Sequence, residues 1–418
     1  MRRSLLLILT LLLPVFAGAQ DDDKNPAILA MIRENPSRAG NNTAPYEFLP
    51  AAETPVPRGY KPFYISHYGR HGSRSNWAGS TYGRMQQFFA KAAEEGILTA
   101  AGDSVRSEIE AIILNHNGMD GRLTYRGTRE HRAIAARMYN KYKGVFRHGK
   151  VSAVGSNSRR CLVSMAAFTG ELLAHRPQLD IHWDNGDVYM PYISTDDGPE
   201  ISKKAHAILA AHREAFPPDT AAFYRRIFSD PGKARRLEPD VYRLMLECFD
   251  MGRIAASFDL DDCIFHYLGE DAVYHYSENL SRNLYLRQRN SLDFGDERMK
   301  KEGPILRDLI DKADAAIRTG EYCADLRFGH DYQLLAYAAR LGVEGVGERL
   351  TAEQCRRNWF GFLYSPCAGN LQLIFYRGRK GDVLVKCYIN EREARLIGLP
   401  GGPYYPWEDV KKMLMQYL

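Results

Sequence analysis

The 418-residue chain carries none of the short signatures that announce a nucleotide, a dinucleotide, a catalytic zinc or a serine nucleophile. It has no GxxxxGKS/T, no GxGxxG after a strand pattern, no HExxH and no GxSxG, so those four readings lose their motif support. Cysteine is sparse: seven residues, at positions 161, 248, 263, 323, 355, 367 and 387, with no CxxC or other metal-ligand spacing among them. In an oxidising compartment they allow up to three bridges, with one thiol left over. Charge of one sign is not in excess either. The formal net charge is +5, or +3 once Arg2 and Arg3 leave with a leader, too mild to argue for nucleic acid but compatible with a local basic cleft. No apolar run reaches the roughly 20 residues that cross a bilayer. The run from Leu5 to Phe16 follows Arg2-Arg3 and ends in "AGA" at Ala19, the pattern of a cleaved secretory signal over 1–19. No cysteine follows it to take a lipid, so no stable membrane anchor is expected. Internal repeats and low-complexity tracts are also absent.

What is present is an ordinary globular composition, 45% hydrophobic and 26% charged, enough for a large core or two modest ones. Residues 20–57 are polar and Pro-rich ("ENPSRAGNNTAP", "AAETPVP") and predict an extended lead-in, with one Asn-x-Ser/Thr sequon at Asn41 and a second further on at Asn279. Residues 58–194 then alternate strand and helix patterns. "FYISHY", 63–68, reads as a strand ended by "GRHG". Helical patterns cover Tyr82 to Glu95, Ser104 to Asn115 and Tyr125 to Phe146, the last with Thr124 as N-cap. "KVSAVGSN" reads as a strand and "RRCLVSMAAFTGELLAH" as a helix. Residues 195–318 are charge-rich and helical in pattern, a cap or insertion. Residues 319–418 resume with a strand in "YCADLRFGHD", a helix in "YQLLAYAARLGV" and a hairpin in "NLQLIFYRGRKGDVLVKCYIN". The expected architecture is α/β: a Rossmann-like mixed sheet flanked by helices and split by a helical cap.

Ligands of open α/β sheets sit beyond the carboxyl ends of the strands. Three loops compete for that place, at Arg70, at Ser156 to Arg160 and at His330-Asp331. Arg70 and Arg74 flank His71 in "RHGSR", and a guanidinium matches phosphate or carboxylate through a bidentate fork. Arg160 begins a helix, where backbone amides favour anions. Only one of the neighbours Arg159 and Arg160 can point into a given cleft, and either can instead pair with a carboxylate. His330 can donate to an anion, and a carboxylic acid beside bound negative charge has its pKa raised, so Asp331 can deliver a proton to a leaving oxygen. An Asp at a helix start is otherwise a plain cap. Together the loops predict a phosphate clamped by Arg70, Arg74, Arg160 and His330, attacked by neutral His71 and relieved of its alkoxide by Asp331, with no metal or other cofactor.

"RHGSR" at 70–74, "SNSRRCLVS" at 156–164 and "RFGHD" at 327–331, in this order with a helical segment before the last, resemble the histidine phosphatase superfamily in its acid phosphatase and phytase branch. "LTYRG" matches a recurrent element of that branch. "VKCYINEREARL" and "GGPYYPWEDV" resemble the carboxyl-terminal part of multiple inositol polyphosphate phosphatases. The resemblance spans roughly 60 to 415. It implies a phosphohistidine at His71, a phosphate pocket of Arg70, Arg74, Arg160 and His330, and a proton donor at Asp331. Arg160 is preferred over Arg159 because the family places a serine four residues on, where Ser164 stands. The chain departs from animal-type inositol polyphosphate phosphatases, which have His-Ala-Glu where it has His330-Asp331-Tyr332, and "SNW" after Arg74 is a second departure.

The leading expectation is an exported phosphomonoesterase, periplasmic or secreted, that acts on a small anionic phosphate ester such as an inositol polyphosphate. The alternatives are a broad acid phosphatase on sugar phosphates or nucleotides, and a phosphate-binding protein without turnover. A phosphoglycerate mutase-like transferase is disfavoured by the export signal. His67 on the strand, the helix face "TREHRAIAAR" and the basic stretch "RNLYLRQR" at 282–289 are read as structural or solvated. Oligomeric state is left open.

Overall fold

The computed structural model describes residues 24–76, 79–147, 149–215, 218–260 and 263–418; the leader expected at 1–19 and Trp77 lie outside them. Its centre is a mixed sheet of β1 (Lys61–Arg70), β2 (Lys150–Gly155), β3 (Asp180–Asn185), β4 (Tyr322–Gly329), β5 (Asn370–Arg377), β6 (Val383–Ile389), β7 (Arg392–Ala394) and β8 (Tyr404–Pro406). The order is β3-β2-β4-β1-β5-β6-β7, with β8 on β6. β3, β2, β4 and β1 run parallel, and β5 to β8 add antiparallel pairs. The β5–β6 pairing is the expected hairpin. β1 is buried from Tyr64 to Arg70, as befits a strand covered on both faces. Strand β3 escapes the sequence reading because "DIHWDN" buries only Ile181 and sits at the sheet edge, where polar residues are normal.

Register sets the site. Arg70 stands opposite Gly329 across β1 and β4, and Phe328 opposite Gly155 across β4 and β2. The three loops therefore leave the sheet side by side. One face of the sheet is covered by α4 (Tyr125–Lys141) and α5 (Arg159–His175), which pack Ile134, Met138, Phe168 and Leu172 against Val151, Ala324 and Leu326. Helices Gly303–Thr319, Asp331–Arg340 and Trp407–Met415 cover the other.

A separate apolar cluster joins α1 (Pro26–Glu34), α2 (Ser80–Glu94) and α3 (Ala100–His116) to helices Thr220–Ile227, Val241–Ala255, Cys263–Leu268 and Glu270–Gln288. The lead-in expected to be extended thus holds a helix. Asn25 caps it by accepting from the amides of Ala27 and Ile28, and Pro26 takes the first position, where a missing N–H costs nothing. Proline here is a start signal. The six described cysteines, at 161, 248, 323, 355, 367 and 387, are buried free thiols, so the bridges that their number allows do not form among them. Asn41 is wholly buried, which closes the first sequon to a glycan in the folded chain. No helix among the described residues is long and apolar enough to cross a membrane.

Candidate active site

The loop after β1 is built by close backbone approach. A Cβ on Gly72 would meet the Gly127 carbonyl oxygen at 2.5 Å, and one on Gly127 would meet that of Ser73 at 2.3 Å, so "RHGSR" and "LTYRG" lock together through two glycines. Thr124 caps α4 by accepting from the Gly127 amide and also donates to the Ser73 carbonyl at 3.0 Å. Ser164 Oγ accepts from the Gly72 amide at 3.2 Å. Glu130, buried in α4, accepts from the Ser73 amide and hydroxyl, each at 2.7 Å, and from the Tyr46 amide at 3.0 Å. This carboxylate is one residue before His131, in the helix face read as solvated. Glu130 and His131 are instead buried.

Around the loop the predicted residues converge. Arg70, His71, Arg160 and His330 are buried, and Arg74 is partly so. Arg70 Nη1 donates to the Ser365 carbonyl at 2.6 Å and Arg74 Nη1 to that of Ser75 at 2.7 Å. Arg160 Nη2 donates to His330 Nδ1 at 3.2 Å, while His330 Nε2 donates to Ser156 Oγ at 3.0 Å, which fixes the tautomer. The His330 ring stacks on Tyr332, centroids 4.9 Å apart, and Tyr332 is held through its hydroxyl by Ser194 at 2.6 Å. His71 lies edge-on to His330, centroids 5.7 Å apart.

His71 Nδ1 sits 2.9 Å from the Gly72 carbonyl, which can only accept, so the proton is on Nδ1 and Nε2 keeps its lone pair. Burial first, then Arg70, Arg160, Arg74 and His330, hold its pKa well below the usual imidazole range. Burial and Arg160 likewise push His330 down to about 3. Burial, Arg160 and Arg70 push the Arg74 guanidinium down to about 10, against the opposing pull of Asp331. Burial would raise Asp331, but Arg70 and the Asn42 amide, with His330 and Arg74, bring it down to about 2. Its Oδ2 lies 3.7 Å from Arg70 Nη2 and accepts from Asn42 Nδ2 at 2.6 Å. Such a site can hold a tetrahedral anion against an unprotonated imidazole, with a carboxyl group beside it.

No family model matches the chain, and no curated protein matches it in sequence. Solved structures do. The multiple inositol polyphosphate phosphatase of Bifidobacterium longum, in complex with inositol hexasulfate, superposes with a TM-score of 0.70 at 18% identity, covering 90% of this chain and 97% of that one. Its phosphate complex gives 0.70 at 19% identity over the same shares. The phytase from D. castellii gives 0.72 at 13% identity, covering 92% and 86%. This chain has the histidine phosphatase fold.

Within that fold, other sequence features find different places. Arg159 does not join the cluster; it is exposed and lines a cavity of about 610 Å³ together with Gly79, Tyr82, His116, Asp120 and Arg122. His71 is not in that cavity, but its wall adjoins the loop: the Ser75 amide donates to the Arg122 carbonyl at 3.0 Å, and Arg74 bridges to Leu123. Arg122 is exposed, and neither it nor Arg159 makes an ion pair with a described residue. Ser75 and Asn76 of "SNW" tie the loop to this wall through Met119 and His116. His67 is a core residue, packed against Phe168 and Phe328. Arg282 and Arg289 are buried as well, Arg289 over the rings of Tyr285 and Trp359. Asn42, Glu130 and Ser365 carry no motif signal, since each acts through an oxygen, an amide or a backbone carbonyl that many residues supply; Ser156 stands in "SNSRRCLVS", but the resemblance assigns it no role there.

Proposed function

We propose that the chain is an exported phosphomonoesterase that forms a phosphohistidine at His71 and acts on inositol polyphosphates. The observation that carries this is the convergence of three guanidiniums and His330 on a neutral His71 whose Nε2 is free. Arg70, Arg74 and Arg160 bind the phosphoryl oxygens and offset charge in the transition state, and His330 joins the pocket by holding Arg160 through Nδ1. His71 Nε2 forms a bond to phosphorus as the ester P–O bond breaks, and the Asp331 proton passes to the departing alkoxide. Water then attacks the phosphohistidine, its proton passing to Asp331, and the N–P bond breaks to release phosphate. Asp331 is ionised when the site is empty; a bound phosphate dianion offsets Arg70 and raises its pKa toward the range where a carboxyl can donate.

The substrate class is supported by the Arg122 and Arg159 cavity, since two cations without carboxylate partners among the described residues suit a substrate with a second phosphate. The Asp120 carboxylate beside them is engaged by the Gly79 amide at 3.0 Å and faces His116 Nδ1 at 3.5 Å. Export is supported by the leader pattern at 1–19. Purified protein should release phosphate from both phytate and p-nitrophenyl phosphate. Chromatography of the phytate products should show an ordered series of lower inositol phosphates. Hydrolysis of sugar phosphates or nucleotides in preference to phytate would favour a broad acid phosphatase instead. Binding of phosphate without hydrolysis of either ester between about pH 3 and 8 would make the protein a binder. His71→Ala should lose turnover by at least about 1000-fold while remaining folded, and retained activity would remove the covalent route.

A further inference from the structure

The two oxygens of Asp331 are in different environments. Oδ2 accepts from Asn42 Nδ2 at 2.6 Å and faces Arg70 Nη2 at 3.7 Å, whereas no described residue donates to Oδ1. Asn42 belongs to none of the three sheet loops. It lies in the turn Pro36–Thr43, directly after Asn41, which holds φ 49° and ψ −108°, a conformation that costs energy in a residue with a Cβ. The cap sustains it. Asn41 Nδ2 donates to the carbonyl and hydroxyl of Ser277 in helix Glu270–Gln288, at 2.8 and 3.0 Å. On the far side of Asn42, the Cys367 amide donates to the Ala44 carbonyl at 2.8 Å. The segment is therefore gripped at both ends, and the Asn42 amide is aimed at a carboxylate 289 residues away. Asn42 Oδ1 is buried without a partner, so the side chain's described polar contact is the one to Asp331. A buried acceptor left unsatisfied is a cost that a merely space-filling residue would avoid.

We infer that Asn42 is a positioning residue for the acid: it pins Oδ2 as an accepting oxygen and leaves Oδ1 to carry the proton to and from the reacting oxygen. This rests on the phosphomonoesterase reading. Oδ2 can accept from Asn42 both as a carboxylate oxygen and as the carbonyl oxygen of the neutral acid, so the contact survives the whole cycle. In the first step the Oδ1 proton leaves with the alkoxide as the ester bond breaks. In the second, Oδ1 takes a proton from the water whose oxygen bonds to phosphorus. Arg70, Arg74, Arg160, His330 and Tyr332 are the other charged or titratable groups around Asp331, and Asn42 is the uncharged donor among these neighbours.

The test uses the full chain with Asn42→Ala, the isosteric Asn42→Asp and Asp331→Asn, on esters from p-nitrophenyl phosphate to glycerol 2-phosphate. Asn42→Ala should lower kcat at least about 10-fold on the alkyl ester and less than about 3-fold on the activated aryl ester, because only the former needs the proton. KM should change little. Asn42→Asp puts a like charge beside Asp331 and should move to higher pH the limb along which kcat on the alkyl ester falls as Asp331 loses its proton. Equal losses on all esters, or an unshifted profile in Asn42→Asp, would overturn the inference. Should Asn42→Ala not fold, the isosteric variant decides alone. If Asp331→Asn itself shows no leaving-group dependence, the proton-donor reading falls with it; if it does and Asn42→Ala does not, only the role of Asn42 falls.

Discussion

Histidine shows at the residue scale how one side chain serves opposite ends. His71 and His330 are kept neutral inside a ring of arginines, where neutrality suits the proposed attack of His71 on phosphate. His67 and His131 are equally neutral inside an aromatic core, their pKa values pushed down to about 3 by burial, with His131 and Arg327 adding to the effect on His67. Among the described residues the His67 ring has no hydrogen-bond partner. In an unfolded chain each titrates near 6.5, so between about 6.5 and 3 the unfolded state binds the extra protons and stability falls as pH falls. Above 6.5 the effect vanishes, because both states are neutral. The folded protein should lose about 2–3 kcal/mol at pH 4.5 relative to pH 7 for each such histidine. His67→Phe, which keeps the contact with Phe168 and Phe328, should recover one such increment. Urea titrations at the two pH values measure this directly, and an unchanged pH dependence in the variant would assign the acid sensitivity elsewhere.

At the scale of elements, the decisive feature is the meeting of α4 with the loop after β1. Gly127 lies where the helix touches the Ser73 backbone, and its Cβ in Gly127→Ala would stand 2.3 Å from the Ser73 oxygen and 2.8 Å from its nitrogen. Backbone cannot yield as a side chain tip does, so the loop must move, and His71 with it. Displacements of this size cost on the order of 100-fold in catalysis. Gly127→Ala should therefore cut kcat on p-nitrophenyl phosphate by about that factor while circular dichroism stays native. Near-normal kcat would show that the loop is not set by this contact. This element also marks where the sequence was legible and where it was not. "RHGSR", "SNSRR" and "RFGHD" could be read because arginine, histidine and aspartate after a strand pattern are few and chemically specific. Glu130 could not, because "TREHRAIAAR" has the charge of a solvated face, and only the loop of Ser73 lying over it makes the carboxylate an internal acceptor. The strong strands and the β5–β6 hairpin followed their apolar patterns. Strand β3, by contrast, was hidden by its polar edge, and α1 by the polar, Pro-rich composition of the lead-in around it, where Pro26 starts a helix.

For the whole molecule, the sheet loops carry the proposed phosphate clamp, and helices outside the cap supply a wall beside it. α3 and the chain following it carry His116 and Arg122 to the wall of the 610 Å³ cavity, and α5 carries Arg159 to the same wall, one residue before Arg160. Neighbouring residues on a helix diverge by about 100°, so Arg159 and Arg160 serve different spaces. A monoester with one phosphate occupies the clamp alone. A ring with several phosphates can also place charge near Arg122 and Arg159. Replacing both by alanine should then raise KM for phytate by about 10-fold, roughly the worth of 1.4 kcal/mol lost from exposed cation contacts, with kcat little changed. KM for p-nitrophenyl phosphate should stay within about 2-fold, because uniform binding to a remote group is absent from that substrate. Added salt should weaken phytate binding to the parent chain more than to the double variant, since exposed charges are screened within about 10 Å at 0.1 M. A rise of KM for both esters would place the two arginines in the clamp itself, and no rise for either would leave the cavity wall a solvated surface.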